Sequence, residues 1–113
     1  RDILVRLIVK KEAASFDYQS VRNTQTDFPV LTCAAAKTEA GYRFAIGARP
    51  GKAVLFELSN EDMKDKNVEN IAEYAAKCVK EQIVAGSNTR GSAEYRDHLA
   101  GVLVRRAVCK LGE

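Results

Sequence analysis

The fold is decided by residues 92–111, which read SAEYRDHLAGVLVRRAVCKL. The first residue is a serine, a type that caps helix N-termini, and the apolar positions after it recur every three to four residues, as in an amphipathic helix. We therefore predict a helix over 93–111. Its predicted apolar face comprises Leu99, Ala100, Val102, Leu103, Val104, Ala107, Val108 and Leu111. Its predicted polar face comprises Glu94, Asp97, His98, Gly101 and Arg105.

A second helix is predicted just before this one, over 68–84. Asn67 is a suitable N-cap, and Glu69 and Glu73 follow it near the positive end of the helix dipole. Gly86 is expected to stop the helix. The predicted apolar stripe comprises Ile71, Ala75, Cys78, Val79 and Gln82.

The first half of the chain is predicted to form strands. Residues 2–10 are rich in β-branched residues and leucine and are interrupted by charge, and residues 15–22 alternate with a period of two. In the second of these strands one side carries Phe16, Tyr18, Ser20 and Arg22, and the other side carries Asp17, Gln19 and Val21. Three further strands are predicted at 30–37, 42–48 and 52–58, with a hairpin turn at 39–41. The small residues of 33–36 are expected to let another element approach closely.

Strands first and helices afterwards predict an α+β two-layer sandwich, in which an antiparallel sheet of about three to four strands packs on C-terminal helices. The length of 113 residues predicts a single domain over 1–113. The order of the strands does not follow from this pattern.

Composition excludes several classes of protein. Hydrophobic residues make up 46% and charged residues 29% of the chain, which excludes intrinsic disorder. No apolar run approaches the ~20 residues of a membrane helix, so no membrane partner is expected. A net charge of +3 with scattered basic residues predicts no nucleic-acid partner. Cys33, Cys78 and Cys109 have no metal or disulfide spacing, and we expect them to be small core residues in a reducing cytoplasm.

No motif for a nucleophile, a phosphate loop or a metal site occurs, so we predict no catalytic residue and no metal site. His98 and Glu94 are expected to form at most a surface pair. Arg90 either binds an anion beside a helix N-terminus or, as we favour, ties the two helices together. Arg106 falls among apolar positions, where a buried guanidinium would need acceptors. The Tyr18 ring either packs in the core or rim or stacks on a planar ligand.

The last helix carries a resemblance to a known family. Residues 91–107, GSAEYRDHLAGVLVRRA, resemble the C-terminal domain of the FAD-binding (medium) subunit of molybdenum hydroxylases, which include xanthine dehydrogenase and carbon monoxide dehydrogenase. The segments YQSVR (18–22), DFPVL (27–31) and IGARPGKA (46–53) are also similar to that family. The resemblance covers essentially the whole chain, and residues 24–31 are most similar to xanthine dehydrogenase-like members.

The resemblance implies a fold like that of the CO dehydrogenase flavoprotein C-terminal domain and a place in an oxidoreductase. In this family a molybdenum cofactor subunit hydroxylates the substrate, [2Fe–2S] clusters in another subunit carry the electrons onward, and FAD passes them to NAD or another acceptor. The chain starts at Arg1 and has no phosphate loop, so we expect the FAD-binding domain to lie upstream of it. The expected partners are that domain and the iron–sulfur and molybdenum subunits, all in the cytoplasm.

The resemblance also implies a role for one residue. Tyr18 matches the position at which the family places an aromatic or basic side chain near the isoalloxazine ring, so it is the candidate flavin contact. The chain by itself is not expected to be catalytic. The alternative is a stand-alone, non-enzymatic module for binding or subunit assembly that uses the same fold.

Overall fold

The sheet is built from four consecutive antiparallel strands. The structure is a computed structural model that describes residues 2–61, 64 and 67–112. Within that part, β1 (Ser15–Arg22), β2 (Pro29–Thr38), β3 (Gly41–Gly47) and β4 (Val54–Ser59) lie in the order β1-β2-β3-β4. The helices α1 (Val68–Gln82) and α2 (Ala93–Leu111) follow them. The predicted α+β sandwich is therefore confirmed, and its sheet is a simple meander.

The tightest turn joins β2 to β3. Glu39 and Ala40 connect the two strands, and Gly41 follows with a φ of 138°. A side chain on Gly41 would overlap the carbonyl oxygen of Leu58 on β4. Only glycine combines this backbone conformation with this close approach, so the predicted hairpin turn is confirmed.

Alternate residues of each strand face the two sides of the sheet. Asp17, Ala35, Phe44 and Phe56 are partners in one row across the four strands, and all are buried. We call this side, which the helices cover, the inner face. The predicted alternation of β1 is confirmed. The small residues 33–36 alternate between the two sides of the sheet, so only every second one of them faces the helices.

The two helices cover the inner face with aliphatic side chains. The fully buried residues of α2 include Leu103, Val104, Ala107 and Val108, and the buried residues of α1 are Ala72, Ala75, Ala76 and Val79. Each fully buried leucine or valine contributes roughly 1.5–3 kcal/mol to folding. The predicted apolar face of α2 is confirmed in its central positions. The predicted stripe of α1 is wrong at Gln82, which is exposed.

The predicted caps are confirmed at both helix starts. The Asn67 side chain accepts a hydrogen bond from the Asn70 amide (2.8 Å), and Ser92 Oγ accepts one from the Tyr95 amide (3.1 Å). The predicted stop of α1 at Gly86 is wrong, because the helix ends at Gln82 and the chain is already extended at Ile83.

Gly101 is also misplaced by the sequence pattern, which assigned it to the polar face of α2. It is buried against α1, where an added Cβ would lie 2.9 Å from Lys80 Cε. The missing side chain therefore permits close packing of the two helices.

The predicted strand over 2–10 is wrong. The structure assigns no strand to this segment. Its large apolar side chains are 78–88% exposed: Ile3, Leu4, Val5, Leu7, Ile8 and Val9. An extended segment becomes a strand only by pairing with a neighbour, and the described part of the chain provides no neighbour here. Of the helices in that same part, neither has the length and apolar character needed to cross a membrane.

Candidate functional site

The predicted flavin contact, Tyr18, lies in the middle of β1 on the side of the sheet that the helices leave uncovered. Its side chain is 61% exposed, so it is not a core residue. Tyr18, Ala34, Ala45 and Leu55 are partners in one row across the four strands. The row therefore carries a large side chain at each edge of the sheet and two alanines between them.

These residues form part of an apolar surface, which we call the outer face and define as Phe16, Tyr18, Ala34, Ala36, Ala45 and Leu55. Phe16 is 69% exposed and Leu55 is 55% exposed. All of the outer-face residues except Tyr18, together with Ala35 and Arg43, line a shallow trough of about 230 Å³. At one end, Arg43 Nε donates to Glu57 Oε1 over 2.9 Å.

The opposite side of β1 is fastened to α2 through a buried carboxylate. Asp17 Oδ1 accepts from Lys110 Nζ (2.9 Å), and Asp17 Oδ2 accepts from Gln19 Nε2 (2.8 Å). The hydrogen bond from Lys110 is the main reason why the pKa of Asp17 lies below its usual 3.8, although burial acts to raise it. Gln19 Nε2 also donates to the Leu103 carbonyl (3.3 Å). The strand that presents Tyr18 is therefore held in place from behind.

The prediction that Arg90 ties the two helices together is wrong. Arg90 instead joins the loop between the helices to the loop between β1 and β2. Its Nε donates to Asp27 Oδ1 (3.2 Å), and its guanidinium lies 5.0 Å from the centre of the Phe28 ring. Asp27 also accepts from Arg22 Nη1 through its carbonyl oxygen (2.6 Å). Because the Arg90 charge is already paired with a carboxylate, the structure supports the structural role over the anion site.

The buried arginine of α2 is Arg96, which the sequence reasoning missed; Arg106 is exposed. Arg96 has 0% exposure, and burial lowers the pKa of its guanidinium. It donates to four acceptors: the carbonyl oxygens of Val30 (2.8 Å), Gly86 (2.8 Å) and Gly91 (2.6 Å), and Asn88 Oδ1 (2.7 Å). Helical spacing from the buried residues 99, 100, 103 and 107 could have identified it. Its role is to fix the loop before α2.

The three cysteines and the histidine differ in how deeply they are buried. Burial raises the pKa of the Cys33 thiol to about 12, which keeps it from acting as a thiolate. Cys78 is partly buried and Cys109 is exposed, so the prediction of three core cysteines is wrong for Cys109. His98 is exposed on α2, as predicted. Within residues 2–61, 64 and 67–112, no group of three histidine, cysteine or acidic residues is placed to hold a metal ion.

The fold resembles those of two solved oxidoreductases. Quinoline 2-oxidoreductase from Pseudomonas putida 86 superposes with a TM-score of 0.72 at 20% identity, over 89% of this chain and 38% of that chain. Carbon monoxide dehydrogenase from Hydrogenophaga pseudoflava, in a form that lacks the Mo-pyranopterin moiety of the molybdenum cofactor, superposes with a TM-score of 0.60 at 18% identity. That match covers 91% of this chain and 38% of that chain. The chain thus spans well under half of each of these relatives.

No curated protein sequence matches the chain significantly. The family model described as the CO dehydrogenase flavoprotein C-terminal domain matches residues 16–111, which include all four strands and both helices. The resemblance to the FAD-binding subunit of molybdenum hydroxylases is thereby confirmed at the level of the domain. The chain belongs to the CO dehydrogenase flavoprotein C-terminal domain family.

Proposed function

We propose that the chain is the C-terminal domain of the FAD-binding subunit of a xanthine dehydrogenase-like molybdenum hydroxylase in the cytoplasm. In this proposal the domain packs on an upstream FAD-binding domain and places Tyr18 against the isoalloxazine ring. Electrons from the [2Fe–2S] clusters of a partner subunit reach an acceptor such as NAD through that flavin. The single observation that carries the proposal is the exposed Tyr18 ring on a rigidly held strand of a domain from a flavoprotein family.

The residues around Tyr18 fit the ring portion of FAD. Tyr18 and Phe16 supply exposed aromatic rings, and Ala34, the partner of Tyr18 on β2, is too small to obstruct a flat ligand. Stacked aromatic groups contribute about 0.5–1.5 kcal/mol beyond their buried area. The sequence offers no glycine-rich phosphate loop, so we assign the rest of the FAD to the upstream domain.

Tyr18 would act by shaping the surroundings of the flavin. A tyrosine ring against the isoalloxazine excludes water from one side and shifts the reduction potential through stacking and desolvation, while the redox chemistry is that of the cofactor. The molybdenum cofactor and the iron–sulfur clusters are assigned to partner subunits or domains, because the described residues hold no cysteine cluster that could ligate iron.

The test is a set of three variants in the FAD-loaded flavoprotein. Tyr18→Ala is expected to change the flavin absorption spectrum and the rate of acceptor reduction, whereas Tyr18→Phe keeps the ring and retains most of the wild-type behaviour. Tyr95→Ala is the matched control, because Tyr95 is an exposed tyrosine on α2.

A Tyr18→Ala variant with an unchanged flavin but a large loss of stability would contradict the proposal. A protein that copurifies with no flavin, iron–sulfur or molybdenum partner would instead favour the stand-alone binding or assembly module.

A further inference from the structure

We propose that Asp17, Gln19 and Lys110 are positioning residues for Tyr18, because they hold the middle of β1 against α2 in the one placement that presents the Tyr18 ring to the flavin. The inference rests on the proposed function and adds to it which residues set the position of the flavin contact. The three residues act through the Tyr18 ring and not by touching the flavin themselves.

The strand that carries Tyr18 depends on contacts other than its ladder of hydrogen bonds. β1 lies at an edge of the sheet, where it pairs with β2 on one side. Its pairing is irregular at one end, where the register shifts between Val21 and Arg22. A register shift of this kind lets a strand bend and twist locally. The placement of the Tyr18 ring therefore also depends on what the inner face of β1 contacts.

The inner face of β1 is fastened by polar groups, whereas the neighbouring strands use apolar packing. Asp17 shares its row with Ala35, Phe44 and Phe56, and its side chain is only 3% exposed. Apolar contacts are non-directional, whereas hydrogen bonds hold their partners within a narrow range of distance and angle. A polar network at this point therefore defines one placement of the strand instead of a range of placements.

The network reaches α2 at two separate points, one from each sequence neighbour of Tyr18. Asp17 Oδ1 accepts from Lys110 Nζ (2.9 Å), and Gln19 Nε2 donates to the Leu103 carbonyl oxygen (3.3 Å). The hydrogen bond from Gln19 Nε2 to Asp17 Oδ2 (2.8 Å) couples the two points. Leu103 and Lys110 are about two helical turns apart, or roughly 10 Å along α2. Two such points fix both the distance of β1 from the helix and its direction.

The ion pair is the part of this network that a single substitution can remove cleanly. Asp17 is buried, and the hydrogen bond from Lys110 lowers the pKa of its carboxyl, so the group is charged at neutral pH. A buried carboxylate that loses its cation is strongly disfavoured and must move toward water or toward another donor. Because Tyr18 is the next residue, such a movement also displaces its ring.

A set of variants in the FAD-loaded flavoprotein tests this role, with the flavin absorption spectrum as the readout. Lys110→Met removes the ammonium from a side chain that is 70% exposed, and Lys110→Arg restores a cation. Asp17→Asn removes the charge of the other partner. The matched control is Arg105→Met, which breaks the 3.0 Å ion pair of α2 with Glu73 on α1 and involves no residue of β1.

Val79→Ala is a second control, because it truncates a fully buried residue of α1 and lowers stability at a distance from the network. Lys110→Met and Asp17→Asn are expected to shift the flavin spectrum in the same direction as Tyr18→Ala. Lys110→Arg is expected to return the spectrum toward that of the wild type, and both controls are expected to leave it unchanged. In the Tyr18→Ala background, Lys110→Met is expected to add no further shift, because the effects of residues that act through one group are not additive.

The outcomes separate this inference from the proposed function. A wild-type spectrum in both Lys110→Met and Asp17→Asn, beside a shifted spectrum in Tyr18→Ala, overturns the inference and leaves the proposed function standing. An equal shift in Val79→Ala also overturns the inference, because the spectrum then reports a loss of stability. A further shift from Lys110→Met in the Tyr18→Ala background overturns it as well. An unchanged spectrum in Tyr18→Ala itself contradicts the proposed function and removes the inference with it.

Discussion

Arg96 provides the sharpest test of how the fold is held together. Its guanidinium is fully buried and is the donor in four hydrogen bonds, three of them to the loop between α1 and α2 and one to Val30 on β2. In Arg96→Ala the acceptors of the surface loop can bind water instead. The Val30 carbonyl, which belongs to a fully buried residue, cannot do so easily. A buried unsatisfied acceptor costs about 1–3 kcal/mol, and the cavity left by the side chain adds to it.

We therefore expect Arg96→Ala to lower the free energy of unfolding by about 2–5 kcal/mol, because the unsatisfied Val30 carbonyl and the cavity both destabilise the fold. That is a large fraction of the roughly 5–15 kcal/mol that stabilises a domain. Arg96→Lys is expected to recover only part of the loss, because an ammonium cannot reproduce the planar fork of donors. The control is Arg106→Ala, which removes an exposed arginine from the same helix and should cost no more than about 0.5 kcal/mol.

Urea unfolding followed by circular dichroism measures these differences. Limited proteolysis gives a local readout, because the loop that Arg96 holds contains a tryptic site at Arg90, which Arg96→Lys should expose to faster cleavage. An Arg96→Ala variant within about 1 kcal/mol of the wild type would refute the reasoning, since the network would then contribute little beyond surface hydrogen bonds. Equal losses from Arg96→Ala and Arg106→Ala would show that the helix is oriented differently.

Three further predictions concern the faces of α2, the Asp17 carboxylate and the binding of FAD. Leu103→Ala should lower the free energy of unfolding by about 2–5 kcal/mol and His98→Ala by no more than about 0.5 kcal/mol. Equal shifts of the melting temperature in the two variants would contradict the assigned faces of α2. The wild type should have a larger free energy of unfolding than Asp17→Asn above about pH 3.8, and this difference should vanish as the pH falls through the lowered pKa of Asp17. Urea unfolding at several pH values measures the difference, and a difference that persists in acid would contradict the prediction. The 113-residue chain should bind FAD more weakly than micromolar, because one stacking ring contributes only about 1 kcal/mol of the roughly 8 required, and a tighter constant in an FAD titration would contradict the assignment of the phosphates to another domain.

Features set by neighbours in the chain were predictable from the sequence. The bounds of α2 follow from a serine cap and a three-to-four residue period, and both are local properties. The start of α1 at Asn67 and the alternation of β1 are equally local. The sequence pattern predicts the end of α1 too late, because Ile83 is already extended and its side chain is buried in the core, which is a tertiary effect.

Features that depend on distant parts of the chain were not predictable from a single sequence. Residues 2–10 have the composition of a strand, but a strand also requires a partner. Helical spacing places Arg96 on the buried side of α2, but the loop carbonyls that accept hydrogen bonds from its guanidinium lie outside the helix, so these partners do not follow from the sequence. Glycine has no side chain to indicate a face, so the sequence pattern assigns Gly101 to the polar face, whereas its burial depends on the approach of α1.

The candidate site also has one part that the sequence predicts and another that it does not. The two-residue period predicts which side of β1 carries Tyr18, and the family resemblance singles that residue out. The row that joins Tyr18 to Ala34, Ala45 and Leu55 depends on the register of three strand pairs, which the sequence pattern does not specify. The trough on the outer face therefore became visible only in the structure.

The most direct test of the central claim is a crystal structure of the FAD-loaded flavoprotein that contains this chain. The account predicts that the Tyr18 ring lies against the isoalloxazine, with ring centroids ~4.5–7 Å apart, and that the outer face is covered by the FAD-binding part. A structure in which Tyr18 remains in solvent and the FAD-binding part covers the helices instead would contradict the account.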